Sequence, residues 1–271
     1  MKYCRYLSPS GIARYAFVKE QNGEFWTVQP MVPPEEDLAA RLAALEDHST
    51  EAFAPAPLAG LSLLPPITPS KILCVGRNYR EHAAELGNEV PKEPLLFLKP
   101  PSSLLAPGGT VRMPALSKRI DYEGELAIVI GKRCSRLADG DDPSAYIRGY
   151  TIVNDVTARD IQKSDGQWTR GKGWDTFCPA GPIVSDEIDP LHTAVTVETR
   201  LNGQIKQHGS TTDFIFPIDF LLRYITAFTT LEPGDLIPTG TPSGVGPVAS
   251  GDTVEVEING LGVLSNTFAS D

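Results

Sequence analysis

The chain has 271 residues, 41% of them hydrophobic, and a formal net charge of −10 from 34 acidic and 24 basic residues. This is the composition of an ordinary water-soluble globular protein, long enough for one large domain or one domain with a small appendage. The acidic balance excludes the basic footprint of a nucleic-acid or anionic-membrane partner, and no apolar run approaches the ~20 residues of a membrane span.

The N-terminus carries no apolar segment that reads as a secretory signal. Cys4, Cys74, Cys134 and Cys178 lie far apart with no C-x-x-C among them. They are expected to be reduced thiols of a cytoplasmic protein, neither a disulfide framework nor a zinc site.

In chain order, RYAFVKE and EFWTVQ read as strands joined at Asn22-Gly23, a hairpin signal. Residues 33–46 read as a helix. Prolines and acids stand at its start, and Leu38, Leu42 and Leu45 recur at helical spacing as its packing face. The proline-rich stretch 54–70 reads as a linker, which predicts a small N-terminal α+β domain over 1–65 and a main domain over 66–271. ILCVG (72–76) reads as a buried strand, 79–86 as about two turns of helix stopped by Gly87, and 91–101 as a strand ending in prolines.

IDYEGELAIVIG (120–131) alternates as one strand. Tyr122, Leu126, Ile128 and Ile130 point one way; Glu123, Glu125, Ala127 and Val129 point the other. TIVND (151–155) is a further strand, ending on Asp155, and 157–178 is a polar, Gly-rich loop with two tryptophans. Hairpins follow at Asn202-Gly203 and Asn259-Gly260, with a mostly apolar helix over Pro217 to Phe228 between them. Strands dominate without a βαβ rhythm, so the expected class is α+β and β-rich.

Two carboxylates two positions apart on one strand face lie roughly 6–7 Å apart. Desolvated like charges repel unless a cation neutralises them. Glu123, Glu125 and Asp155 together offer three hard oxygen ligands, suited to Mg²⁺, Mn²⁺ or Ca²⁺, with positions left for water or substrate. His82 and Glu85, at i and i+3, can form a base with its orienting carboxylate. Lys172, between two glycines in RGKGWD, can stabilise an oxyanion or enolate. Arg77, Arg159 and Arg170 are candidates for a substrate carboxylate. GTPSGVG (240–246) lacks the P-loop pattern, and Thr241 offers a hydroxyl or amide to a ligand.

GRNYREHAAELG, LLFLKPPSSL, DYEGELAIVIGK, GYTIVNDVTARDIQ, RGKGWDTFCPAGP and GTPSGVG occur in that order over roughly residues 70–248. This set resembles the fumarylacetoacetate hydrolase superfamily, most closely its bacterial acylpyruvase and oxaloacetate decarboxylase-like branch. The resemblance implies a mixed β-roll, a homodimer, and a central Mg²⁺ or Mn²⁺, with Ca²⁺ as a possible occupant in crystals. It matches Glu123, Glu125 and Asp155 to the metal ligands, and His82 and Glu85 to a water-activating pair on a lid. It matches Lys172 to the lysine near the enolate, and Arg77, Tyr79, Arg159, Gln162 and Thr241 to substrate and supporting contacts.

The expected activity is hydrolysis of a C–C bond in a β-diketo acid, an acylpyruvate or a fumarylacetoacetate-like compound. Oxaloacetate decarboxylation, or isomerisation or hydration of a 2-oxo or 2-hydroxy dienoate, are alternatives at the same site. A non-catalytic metal-dependent binding protein would lack the His–Glu pair or Lys172, and a β-roll without any ligand would make the acidic triplet a coincidence.

Overall fold

The computed structural model describes residues 1–46, 52–81 and 90–271. Strands dominate it, and the β-rich α+β class expected from the sequence holds. The largest sheet runs in the order Glu24–Met31, Ala13–Gln21, Lys2–Leu7, Cys178–Ser185, Ile147–Asn154, Gly124–Ile130, Leu236–Pro238, Ile72–Gly76, Leu95–Lys99. A five-stranded sheet contains Thr196–Leu201, Gln204–Ser210, Thr253–Ile258, Gly262–Ser270 and Thr110–Met113. A small third sheet joins Thr157–Ala158, Ile120–Tyr122 and Gly246–Pro247.

The alternation read along 124–130 has a direct counterpart in packing. Leu126, Ile128 and Ile130 enter the core shared with Val197, Val256, Phe268 and the helical residues Leu221, Leu222 and Ile225. Ala127 and Val129 enter a second core, with Cys74, Val153, Ala180 and Leu236. The central strands are therefore buried on both faces, which is why they read as nearly unbroken apolar runs.

The three hairpins signalled by Asn-Gly form as expected, the last between Thr253–Ile258 and Gly262–Ser270. Asn22 and Gly23 have φ of 53° and 82°, and Asn202 and Gly203 have φ of 51° and 76°, the positive pair that matches strand twist in a two-residue turn. All four cysteines are free and buried. No helix among the described residues is long and apolar enough to cross a membrane.

Four local expectations are corrected. The single strand over 120–131 is broken at Glu123: residues on either side pair in different sheets. The helix expected over 33–46 spans Leu38–Glu46, and its leucines at 38, 42 and 45 are exposed while Ala40 is buried. That helix docks through its cap instead. Asp37 accepts from the Ala40 amide (3.1 Å) and the Tyr15 hydroxyl (2.8 Å), and Glu36 ion-pairs with Arg148. The region 157–178 is not simply a loop: it holds two short helices, Arg159–Asp165 and Thr169–Lys172. Gly171 lets them meet, since a Cβ there would stand 2.8 Å from Gln162 Cα. Finally, a third strand, Lys2–Leu7, lies ahead of the two expected at the N-terminus and pairs with Cys178–Ser185, carrying these strands into the large sheet. Most of the helix expected over 79–86 falls outside the described residues.

The break at Glu123 is shaped by Gly124. A Cβ on Gly124 would lie 2.1 Å from Thr199 Oγ1 and 2.9 Å from Val256 Cγ1, so the Gly124 backbone lies directly against side chains of the five-stranded sheet. Overpacking of this kind costs roughly 1–3 kcal/mol. Gly124→Ala is accordingly expected to lower the melting temperature by roughly 2–10 °C. An unchanged melting curve would show that the contact can simply widen.

Candidate metal centre and active site

Glu123 stands where the chain leaves the small sheet for the large one. Its amide donates to Asn154 Oδ1 (2.9 Å) and its carbonyl accepts from the Asp155 amide (2.8 Å). These two bonds hold the turn out of the 120–131 segment against the end of the neighbouring strand, whose last residue is Asn154. Glu125 follows on the strand, directed into the same cavity as Glu123. The three carboxylates of Glu123, Glu125 and Asp155 are buried, each with an oxygen within 4.8 Å of the others. Oxygen ligands on one Mg²⁺ stand about 3–4 Å apart, and on Ca²⁺ somewhat farther, so one ion can take all three with small adjustment.

Two of the three carboxylates already have cationic partners. Lys172 Nζ donates to Glu123 Oε2 (2.7 Å) and Asp155 Oδ2 (2.5 Å). Lys99 Nζ pairs with Asp155 Oδ1 and donates to the Val156 carbonyl (3.1 Å). Arg159 pairs with Glu123 Oε1 through one nitrogen, with Asp121 Oδ2 through Nε (2.8 Å), and with Gln162 Oε1 (2.6 Å). Thr157 adds a hydroxyl to Glu123 Oε1 (3.1 Å).

Glu125 is treated differently. Its Oε2 accepts from the Gly240 amide (2.8 Å), and no side-chain cation pairs with it among the described residues. Burial, then the charges of Asp155 and Glu123, push its carboxyl well above the ordinary carboxylate range. A divalent cation supplies the neutralisation that Glu125 lacks, and the all-oxygen donor set suits Mg²⁺, Mn²⁺ or Ca²⁺.

The triad lines a cavity of about 40 Å³, room for an ion and a few waters. Arg77, Arg159, Gln162, Lys172 and Thr241 line the same cavity, with Phe97 and Trp168 as its aromatic wall. Arg77 has a positive φ of 56°, and its guanidinium lies 5.9 Å from the Trp168 ring centre. Gly76 makes room for that indole: a Cβ there would stand 2.8 Å from it. Arg77 has no carboxylate partner among the described residues, so its fork is available to a substrate carboxylate. Arg159 is already committed to Asp121, Glu123 and Gln162, and Arg170 pairs with Asp165 at the surface.

Thr241 donates its hydroxyl to the Gly124 carbonyl (2.9 Å) and accepts from Gln207 Nε2 (2.7 Å), so it braces the strand that carries the two glutamates. Tyr79 is not on the cavity wall. Its ring packs edge-on against Phe214 at 5.0 Å, and its buried hydroxyl has no partner among the described residues. The neighbouring Asn78 is a brace, bonding Phe216 and the Thr239 carbonyl. His82 and Glu85 lie outside the described residues. His192 and His208 are exposed, each beside a carboxylate on the surface.

Lys99 is the functional neighbour that the sequence reading passed over. It closes an apolar strand, LLFLK, and is almost wholly buried. A lone lysine ending such a strand was the available signal, because a buried ammonium requires an anion beside it.

Residues 71–269 match the family described as Fumarylacetoacetate (FAA) hydrolase C-terminal. The chain is 48% identical over 200 residues to a mitochondrial oxaloacetate decarboxylase of Dictyostelium discoideum, covering 72% of this chain and 91% of the relative. It is 44% identical over 212 residues to the oxaloacetate tautomerase YisK of Bacillus subtilis, covering 73% of this chain and 69% of that protein. A crystal structure of a 2-hydroxyhepta-2,4-diene-1,7-dioate isomerase from Mycobacterium marinum superposes with a TM-score of 0.83 at 39% identity, covering all of this chain and 99% of the other. The matched stretch carries the acidic triad, both lysines and the cavity-lining arginines, and on this ground the chain belongs to the fumarylacetoacetate hydrolase superfamily of enzymes.

Proposed function

We propose that this chain is a divalent-metal-dependent enzyme acting on a 2-oxo acid with a second carbonyl or carboxyl group in the β position, and that it works by stabilising the enolate of that acid. The observation that carries this reading is Lys172, a buried ammonium between two of three clustered carboxylates on the wall of a cavity that also presents Arg77. A bound Mg²⁺ or Mn²⁺ would be held by Glu123, Glu125 and Asp155 and would polarise the 2-oxo group as a Lewis acid. The Arg77 fork holds a substrate carboxylate, and the Lys172 ammonium faces the oxygen on which enolate charge develops. Phe97 and Trp168 line the cavity with apolar rings, which strengthens both interactions by excluding water.

Within this class, enolisation or decarboxylation of oxaloacetate is favoured by the relatives that carry those names. Neither reaction requires attack by water. The second reading is hydrolysis of an acylpyruvate or a fumarylacetoacetate-like diketo acid, favoured by the His82–Glu85 spacing in EHAAE. There His82, oriented by Glu85, would deprotonate the water that attacks the distal carbonyl. Isomerisation of a 2-hydroxy dienoate draws on the same enolate stabilisation and is the activity named for the Mycobacterium marinum protein. A homodimer is proposed on the same family grounds.

The test is ultraviolet spectroscopy of purified protein with oxaloacetate and with a simple acylpyruvate, each with Mg²⁺ and with EDTA. Chelator-sensitive turnover of oxaloacetate above roughly 1 s⁻¹, within the ordinary enzyme range, supports the first reading. Turnover of the acylpyruvate alone moves the assignment to hydrolase. Inertness toward both, in a protein that binds Mn²⁺, refutes β-keto acid chemistry for these two substrate types.

A further inference from the structure

Asp155 meets two lysines, one on each oxygen, and the two are not equivalent. Lys99 takes Oδ1, is anchored a second time by the Val156 carbonyl at 3.1 Å, and has no exposed side-chain surface. It does not line the cavity. Lys172 takes Oδ2 and bridges to Glu123 Oε2, and it does line the cavity.

The outer oxygens of the same carboxylates are engaged elsewhere. Glu123 Oε1 accepts from Arg159 and Thr157, Asp155 Oδ1 from Lys99, and Glu125 Oε2 from the Gly240 amide. A metal held by all three residues without breaking those bonds would draw on Glu123 Oε2 and Asp155 Oδ2, the two oxygens bridged by the Lys172 ammonium. A divalent ion on those oxygens and an ammonium bridging the same two would repel each other at close range in a buried site.

We infer that Lys172 is an exchangeable internal counter-ion: a divalent metal displaces its ammonium from the bridge, while Lys99 and Arg159 stay as permanent counter-ions. The inference rests on the metal reading above and adds that metal affinity is held down by a competitor built into the chain. In its bridging position the ammonium already touches an aromatic face that can keep hold of it once the bridge is broken. It lies 4.9 Å from the centre of the Phe97 ring, whose face attracts a cation, and it remains at the cavity where an enolate oxygen would form. Metal loading and the release of Lys172 for work on the substrate are then one event.

The test uses full-length protein stripped with chelator and titrated calorimetrically with Mn²⁺ alone. In Lys172→Met the Mn²⁺ dissociation constant is expected to fall at least tenfold. The stripped variant is expected to melt below the stripped wild type, and saturating Mn²⁺ to raise its melting temperature by more than it raises that of the wild type. Lys99→Met separates exchange from a simple change in local charge: it removes the same charge from the same carboxylate but not from the metal's oxygens, and a smaller affinity gain is expected.

Equal gains in the two variants, or no gain in Lys172→Met, overturn the exchange. A wild type that binds no Mn²⁺ overturns the metal reading itself, so the two failures are distinguishable. Should either variant fail to fold, lysine-selective ¹⁵N NMR of the wild type across a Mg²⁺ titration gives an independent reading. Of the two protected ammonium signals, that of Lys172 shifts and that of Lys99 holds. Both still, or both moving alike, refutes the division of roles.

Discussion

Asp155→Asn is expected to lower Mn²⁺ affinity by more than 100-fold and to bring turnover below detection. The substitution is nearly isosteric, so the backbone bond from the Asp155 amide to the Glu123 carbonyl is retained. What changes is charge. An anionic ligand oxygen becomes part of a neutral amide, and Lys99 and Lys172 both lose the carboxylate they share. Two buried ammonium groups beside one remaining cation-paired carboxylate repel an incoming divalent ion, so the lost ligand is compounded by uncompensated positive charge. Removal of one partner from a buried, hydrogen-bonded charge cluster costs about 3–5 kcal/mol by itself. Calorimetry with Mn²⁺ and the two-substrate assay check both halves. An affinity within threefold of wild type would remove Asp155 from the ligand set.

Arg159→Met is expected to have a large effect on stability. The guanidinium is almost fully buried and joins Asp121, Glu123 and Gln162. Met fills much of the volume but leaves two buried carboxylates with fewer cations. Arg119 still pairs with Asp121 and Lys172 with Glu123, so the loss is that of a shared partner rather than of every partner. A fall of about 3–5 kcal/mol is expected, seen as roughly 10 °C in melting temperature. Arg159→Lys is expected to recover less than half of it, because an ammonium cannot present the planar fork that reaches three acceptors at once. A Met variant as stable as wild type would mean that Asp121 and Glu123 are satisfied without Arg159.

Much of this was legible in the residues. The alternation of Leu126, Ile128 and Ile130 against Ala127 and Val129 predicts two-sided burial, because a strand has only two faces. The Asn-Gly turns and the acidic triplet were equally plain. The strand break at Glu123 was not, because period-two patterning continues through a residue whose flanking segments belong to different sheets. The exposure of Leu38, Leu42 and Leu45 was also hidden: helical spacing gives a face but not what that face meets. The helix is instead held by Asp37 and Glu36, whose partners Tyr15 and Arg148 are remote in sequence. Lys99 and Arg159 escaped or were misweighted for a related reason. A charged side chain looks like surface until the anions that surround it are assembled from distant strands.

The position of Glu123 between two sheets has a mechanical consequence. One ligand sits at the seam, while Glu125 is on the large sheet and Asp155 just past its neighbouring strand. Any shift of the small sheet against the large one would change the spacing of the triad. The affinity of a metal held by the triad would therefore report how the two sheets are aligned. A substitution at Gly246–Pro247, which pairs with the 120–122 strand, is expected to lower the affinity of the triad for a metal without replacing any of its carboxylates.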